Sequence, residues 1–359
     1  MNSTSKTNGD ENSNSSIKIA HRDDLSLLYR IMRVLIRPLR PKLAGMPKKP
    51  WPAGSPKLSP PSLKNVTIKD RSVENVYLYT LVPTLSRKRA PTHSVYYFAG
   101  GGFQSPPSKD HWKLCAALAE DLSATHEFTV VSYPLAPENT AAVTLPMLHS
   151  LLRVLMREAG EAGKSVVLAG DSSGGNLAIC LGFWWAKELQ QPSAHMHIKD
   201  VEGAAERPKD APPPSTPLSV FAMAPAVDLT NQNPQINEID NYDHGRREEI
   251  HWLSDKADDP SVSPLFDDFE PVKRADIRVN GLVGTYDLLA PDDQLFIEKL
   301  KEHQVEGEWM VWEGQMHCFP LAFGYGIRES KEGKEWIVGV LRRDAERTDK
   351  LKINGKGVE

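Results

Sequence analysis

Cysteine is scarce in this chain, positive charge is not in excess, and no long apolar run is present. Three cysteines occur in 359 residues, Cys115, Cys180 and Cys318. They are too few and too scattered for a disulfide framework or a zinc site, and no other metal or organic cofactor is called for. Cys180, inside an apolar helix-like run, reads as a small core residue. Lys and Arg number 43 against 47 Asp and Glu, a formal net charge of −4. No global basic footprint therefore points to nucleic acid. Nowhere do about 18 apolar residues follow one another, so no helix is expected to span a bilayer. The opening stretch MNSTSKTNGDENSNSS has no apolar segment of the secretory kind. The expected setting is the reducing cell interior, cytoplasmic or peripheral to a membrane.

What is present is the balance of a soluble globular protein: 40% hydrophobic and 25% charged residues. The length suits one large α/β domain or two small ones. Residues 1–20, rich in Ser and Asn, read as a disordered tail. Residues 21–62 read as a helix and connector. Leu25, Leu28, Met32, Leu35, Ile36 and Leu39 recur at helical spacing, and Pro38 and Pro41 end the run. From residue 63 to 350 strands and helices alternate. Strands are expected at Val66–Lys69, Val76–Leu81, Ser94–Phe98, Thr129–Ser132, Ser165–Leu168, Ser219–Met223, Arg278–Val283 and Trp309–Trp312. Helical patterns lie near 108–124, 144–162, 174–188, 291–302 and 334–346. Nearly continuous apolar central strands imply a mostly parallel sheet covered by helices on both faces. Residues 190–216, rich in Pro, Lys, Asp and Ala, read as a solvated insertion loop. Residues 232–262 are too polar for a core strand and read as part of a lid.

The strongest local signal is Gly170-Asp171-Ser172-Ser173-Gly174-Gly175. It holds G-x-S-x-G between an apolar strand and a helix, the context in which the motif makes a nucleophile elbow. The residues two before and two after the serine must be small. Gly170 and Gly174 satisfy this for Ser172, whereas Ser173 would be flanked by Asp171 and Gly175. Ser172 is therefore the candidate nucleophile. The competing reading is a glycine-rich turn used for packing or for binding a phosphate. Upstream, Gly100-Gly101-Gly102 follows the strand ending at Phe98. Such a run lets backbone amides turn inward. With the amide of Ser173 they can hold the negative oxygen of a tetrahedral intermediate. The alternative is a merely flexible loop.

In order, the chain carries Gly100-Gly101-Gly102, Tyr133-Pro-Leu-Ala-Pro-Glu138, Gly170-Asp-Ser-Ser-Gly-Gly175, Val227-Asp228-Leu-Thr, Ser263-Pro-Leu265, Gly284-Thr-Tyr-Asp287 and His317. Over residues 94–345 this pattern resembles the hormone-sensitive-lipase-like (GDXG) family of α/β-hydrolases. The resemblance implies an α/β-hydrolase fold with a helical cap built from the N-terminal region and part of 232–262. It implies a serine carboxylesterase acting on a short- or medium-acyl ester, and it selects Gly101 and Gly102 as loop donors. Steryl acetyl hydrolases and natural-product deacetylases belong to the same circle of resemblance. One departure stands out: the family usually has His before the three glycines, and this chain has Ala99, which removes a brace of the loop.

A serine nucleophile needs a base. Among the eleven histidines, His317 follows the last expected strand and precedes the final helices, where this fold carries its base. His111, His126, His149, His195, His197 and His251 lack such a position and read as surface or core-edge residues. The orienting acid belongs at a strand end, and Asp287 ends the run Leu282-Val-Gly-Thr-Tyr-Asp287; the family pattern also selects it. Asp292 and Asp293 compete, but read better as the first turn of the next helix. Asp171 reads as a structural hydrogen-bonding residue.

No acidic residue lies between Asp24 and Asp70, while Arg30, Arg33, Arg37, Arg40, Lys42, Lys48 and Lys49 cluster there. A basic amphipathic helix over 25–40 can lie on an anionic membrane; the alternative is a cap helix covering the site. Two other functions stay open: acyl transfer or lactone formation on the same triad, and ligand binding on a hydrolase scaffold.

Overall fold

The structure is a computed structural model that describes residues 15–36, 51–84, 90–191, 216–239, 252–253 and 256–353. Among these, nine strands form one sheet: β1 (Ile17–Arg22), β2 (Val66–Val73), β3 (Val76–Pro83), β4 (His93–Phe98), β5 (His126–Ser132), β6 (Ser165–Asp171), β7 (Leu218–Met223), β8 (Arg278–Gly284) and β9 (Gly307–Trp312). The helices are α1 (Leu27–Ile36), α2 (Lys109–Asp121), α3 (Ala141–Glu161), α4 (Ser173–Glu188), α5 (Glu270–Arg274), α6 (Ala290–Glu302) and α7 (Arg328–Ile353). The strand order is β1-β9-β8-β7-β6-β4-β5-β3-β2. All pairings are parallel except β2–β3 and β3–β5. This is the α/β-hydrolase fold, a mostly parallel sheet with helices on both sides.

Every residue of β4, β6 and β7 is buried, as a strand covered on both faces requires. Alternate side chains go to opposite faces. Tyr96, Phe98, Val166, Leu168 and Val220 meet Leu152, Leu155, Ile179 and Phe183 of α3 and α4. Val95, Tyr97, Val167, Ala169 and Phe221 meet Leu114, Leu118, Ile337 and Leu341 of α2 and α7.

All eight expected strands lie within strands. Two differences are informative. Residues 17–20, read from sequence as the end of a disordered tail, belong to β1, which pairs with β9 from Ile17↔Gly307 to Arg22↔Trp312. Only Ile17 of that strand is buried, so its apolar signal is too thin to see against a polar tail. Within 232–262, Trp252 is fully buried and stacks on Phe103 at 4.0 Å. That stretch therefore contributes a core aromatic as well as polar surface. Residues 1–14 of the expected tail, 37–50 of the connector, 192–215 of the insertion and 240–251 and 254–255 of the lid stretch lie outside the described residues, as do His195, His197 and His251. No helix among the described residues is long and apolar enough to cross a membrane.

Candidate active site

β6 ends in a turn that no ordinary backbone conformation would allow. Ser172 sits at φ 52°, ψ −123°, a sparsely populated region that costs about 1–3 kcal/mol to hold. The surroundings hold it by hydrogen bonds: its N–H donates to Met223 O (2.9 Å), and its carbonyl accepts from Asn176 N (3.0 Å) and Ala226 N (3.2 Å). The flanking glycines are needed for space. A Cβ on Gly170 would lie 2.3 Å from Gly174 O, and one on Gly174 would lie 2.0 Å from Phe98 O. The helix thus starts in backbone contact with the neighbouring strand, and Ser172 stands at the carboxyl end of the sheet, where open α/β sheets bind ligands.

Asp287 and His317 reach the same end from β8 and β9. His317 Nδ1 and Asp287 Oδ2 are 2.6 Å apart, and Asp287 Oδ1 also accepts from Leu289 N at 3.1 Å. The loops carrying them are joined: Tyr286 N donates to Gln315 O (2.8 Å) and Gly314 N to Thr285 Oγ1 (2.9 Å). The α1 helix holds the His317 loop from outside. Met316 N donates to Tyr29 Oη (2.9 Å), and Arg33 Nη1 donates to Gly314 O (3.0 Å). The Asp287 carboxyl is 5% exposed and the imidazole 42%, so the acid is buried while the ring stays open to solvent. Burial opposes a charge on the ring, but the Asp287 carboxylate outweighs it and raises the His317 pKa well above its ordinary value.

His317 Nε2 lies 3.4 Å from Cys318 Sγ, and no Ser172 Oγ–Nε2 hydrogen bond is present among the described residues. Met223 O receives both the Ser172 amide and, at 3.7 Å, the Cys318 thiol. One carbonyl thereby connects the Ser172 backbone to the residue beside His317. Catalytic hydrogen bonds often tighten only around substrate.

Of the competing acids, Asp292 is bonded elsewhere. Asp292 and Asp293 stand in the first turn of α6, and Asp292 Oδ1 accepts from Asn233 Nδ2 at 2.7 Å. Burial pushes the Asp292 carboxyl up to about 6. Burial, with Asp287 nearby, pushes the Asp293 carboxyl well above its ordinary value.

On the other side of Ser172, Gly101 and Gly102 have φ of 143° and 62°. Gly101 O accepts from Gln104 N and Ser105 N, which curls the loop back on itself. Ser173 begins α4, where first-turn amides have no intrahelical partner. Tyr133 Oη donates to Ala99 O at 2.7 Å, so a tyrosine from the stretch after β5 supports the residue that replaces the family histidine.

Sequence reasoning missed one group here. His111, read as a surface or core-edge residue, is buried, and its Nε2 lies 3.0 Å from Asp171 Oδ2. Asp171 Oδ1 accepts from Tyr97 Oη (2.6 Å) and Gly100 N (3.0 Å). The available signal was Ser108-x-x-His111, a capping-box spacing with His in place of Glu; both reciprocal bonds are formed. The remaining described histidines carry no such link to the elbow: His126 is core, its pKa lowered by burial to about 3, and His149 stacks on Trp184 at 3.9 Å. Among the described residues, no group of three or more His, Cys, Asp or Glu could hold a metal ion.

Comparison with known proteins agrees with this architecture. A family model described as alpha/beta hydrolase fold matches residues 95–321. The esterase LipU of Mycobacterium tuberculosis is 28% identical over 313 residues, covering 84% of this chain and 98% of that protein. An esterase of Acinetobacter venetianus is 25% identical over 258 residues, covering 69% of this chain and 74% of its own. The crystal structure of carboxyl esterase 2 from the fungus Tuber melanosporum superposes with a TM-score of 0.65 at 18% identity, covering 88% and 97% of the two chains; that likeness speaks to fold. With more than half its length matched by the family model, the chain belongs to the α/β-hydrolases, in their hormone-sensitive-lipase-like (GDXG) branch.

Proposed function

We propose that this protein is a serine carboxylesterase in which Ser172 is the nucleophile, His317 the general base and Asp287 its orienting acid. The observation that carries the reading is the 2.6 Å His317–Asp287 contact at the same end of the sheet as a serine held at positive φ after the central strand. Ser172 Oγ attacks the ester carbonyl as its proton passes to His317 Nε2. The developing oxyanion rests on the amides of Gly101, Gly102 and Ser173. The imidazolium then gives its proton to the departing alcohol. Water, activated by the same nitrogen, releases the acid from Ser172. Asp287 holds the ring tautomer and balances the imidazolium charge. Nothing in this sequence of steps calls for a metal or cofactor. The esterase names of the relatives support the reaction class.

For substrate, a short- or medium-chain acyl group, acetyl included, on a lipophilic alcohol fits best. The apolar stripe of α1 supports it: Leu27, Leu28, Ile31, Val34 and Leu35 are exposed, while Tyr29 and Arg33 on the other side hold the His317 loop. In this reading the exposed apolar residues of α1 look outward while the helix braces the His317 loop. With Arg30 and the basic residues that follow, it would suit peripheral contact with an anionic lipid surface.

The test is turnover of p-nitrophenyl acetate, butyrate and laurate, with and without competing alcohols. We expect hydrolysis of the short esters, with laurate slower by about tenfold or more, since even one misfitted methylene costs about 1–3 kcal/mol. Product ester exceeding free acid would instead mark an acyltransferase, and no turnover of any ester would refute the hydrolytic reading. For the lipid contact, the protein should sediment with phosphatidylserine-containing vesicles. A Leu28→Asp/Leu35→Asp variant should lose about 10²-fold or more in partitioning, the two buried leucines together being worth about 3 kcal/mol or more. Equal partitioning of the two proteins would rule the helix out as the contact.

A further inference from the structure

The loop that carries the candidate oxyanion donors is fastened at both ends to the residue next to the nucleophile. Gly100–Ser108 connects β4 to α2. At its first end, Gly100 N donates to Asp171 Oδ1 (3.0 Å). At its last, Ser108 N donates to His111 Nδ1 (3.0 Å), and Ser108 Oγ lies 2.7 Å from the same nitrogen. His111 Nε2 and Asp171 Oδ2, 3.0 Å apart, join the two ends. We propose that His111 is a positioning residue of the esterase reaction, closing Gly100–Ser108 into a ring clamped on the nucleophile elbow through Asp171. This rests on the esterase reading above.

The proton positions follow from the donors. Because Nδ1 accepts the Ser108 amide, the ring proton sits on Nε2 and points at Asp171. Asp171 then receives three donors: the Tyr97 hydroxyl, the Gly100 amide and the His111 ring. Burial alone would raise its pKa; the ring and these hydrogen bonds outweigh burial and lower it, so the carboxylate stays charged. Burial opposes a charge on His111 and Asp171 favours one, with Asp171 prevailing; the accepted Ser108 amide nevertheless requires a ring unprotonated at Nδ1. The side chains are 9% and 3% exposed, so water cannot readily replace a lost donor. Packing makes the clamp exacting, since a Cβ on Gly100 would lie 2.5 Å from Asp171 Oδ2 and 2.9 Å from Ser172 Cβ. A shift of Asp171 is therefore a shift of both the loop and the serine.

His111 touches no reacting atom in this scheme; it acts through Asp171 and the loop. The loss should therefore fall on kcat, with KM little changed, because an oxyanion hole acts on the transition state. For His111→Phe, kcat per active site, counted by exhaustive fluorophosphonate titration, should fall by about 10²-fold, the usual effect of losing one oxyanion-hole donor. His111→Gln, whose amide N–H can reach Asp171, should recover most of that loss, while the shorter His111→Asn should not. Amide exchange of 100–108 should accelerate in the Phe and Asn variants but not in Gln, with the β-sheet unchanged. A folded His111→Phe or His111→Asn protein with wild-type kcat and wild-type loop exchange would overturn the clamp. So would equal losses in Gln and Asn, which mark a packing role only. If the wild-type protein turns over no ester, the esterase reading fails by itself, and loop exchange in the same variants still decides whether the clamp exists.

Discussion

Replacing Ser172 by alanine should abolish both ester hydrolysis and labelling by a fluorophosphonate, while leaving the fold intact. The expected loss in kcat is about 10⁴-fold or more, since a triad without its nucleophile keeps only what the oxyanion hole and substrate binding supply. Folding should be spared because the strain at this position belongs to the backbone. Alanine at φ 52° is no worse placed than serine, and the amide and carbonyl bonds to Met223, Asn176 and Ala226 do not involve the hydroxyl. A thermal midpoint within a few degrees of wild type, with no labelling, is the predicted pair of results. Labelling that survives would move the nucleophile elsewhere, and Ser173 is a poor second choice. It is buried in the first turn of α4, whereas Ser172 is half-buried at the tip of the turn. A loss of stability comparable to a core truncation would mean that the hydroxyl serves the elbow rather than a substrate.

Much of this architecture was legible because the signals were local and strong. The elbow is an example: strand, turn and helix lie in one continuous stretch, and the two glycines at the places where small residues were required are those whose missing side chains let α4 contact β4. The central strands announced themselves as unbroken apolar runs. What escaped depends on partners far away in the chain. β1 is a strand because β9, some 290 residues on, offers it an edge, and only Ile17 of it is buried, with Ile19 half-buried against the core. Trp252 sits in a polar stretch and becomes core through its stacking on Phe103. His111 shows the same limit at the site: its role depends on Asp171, 60 residues later, and no periodicity links the two. Ala99 was visible as a departure from the family pattern, but the supports around it, Tyr133 on its carbonyl and Asp171 on the next amide, appear only when β4, β5 and β6 are side by side.

Exchanging Asp287 for asparagine should be nearly as damaging as removing the nucleophile, and it should also move the pH profile. With the carboxylate, His317 Nδ1 carries the proton that bonds to Oδ2, so Nε2 is free to accept from Ser172. An asparagine amide can donate to Nδ1 instead, which puts the ring proton on Nε2 and blocks the base. The cost expected is about 10⁴-fold in kcat near neutral pH. The sign of the pH effect follows from the same contact. The ring works only when neutral, so activity falls as pH drops through its pKa. Burial would lower that pKa, but the Asp287 carboxylate raises it well above 6.5. The wild-type acid limb should therefore have its midpoint above pH 6.5, and in Asp287→Asn the residual activity should persist to lower pH. Asp292→Asn, at a residue bonded to Asn233 and not to the ring, should stay within a few-fold of wild type and keep the wild-type limb. Were Asp292→Asn the crippling change, with Asp287→Asn mild and its acid limb unmoved, the orienting acid would be the helix-borne carboxylate. The short contact at Asp287 would then be a structural tie between the β8 and β9 loops.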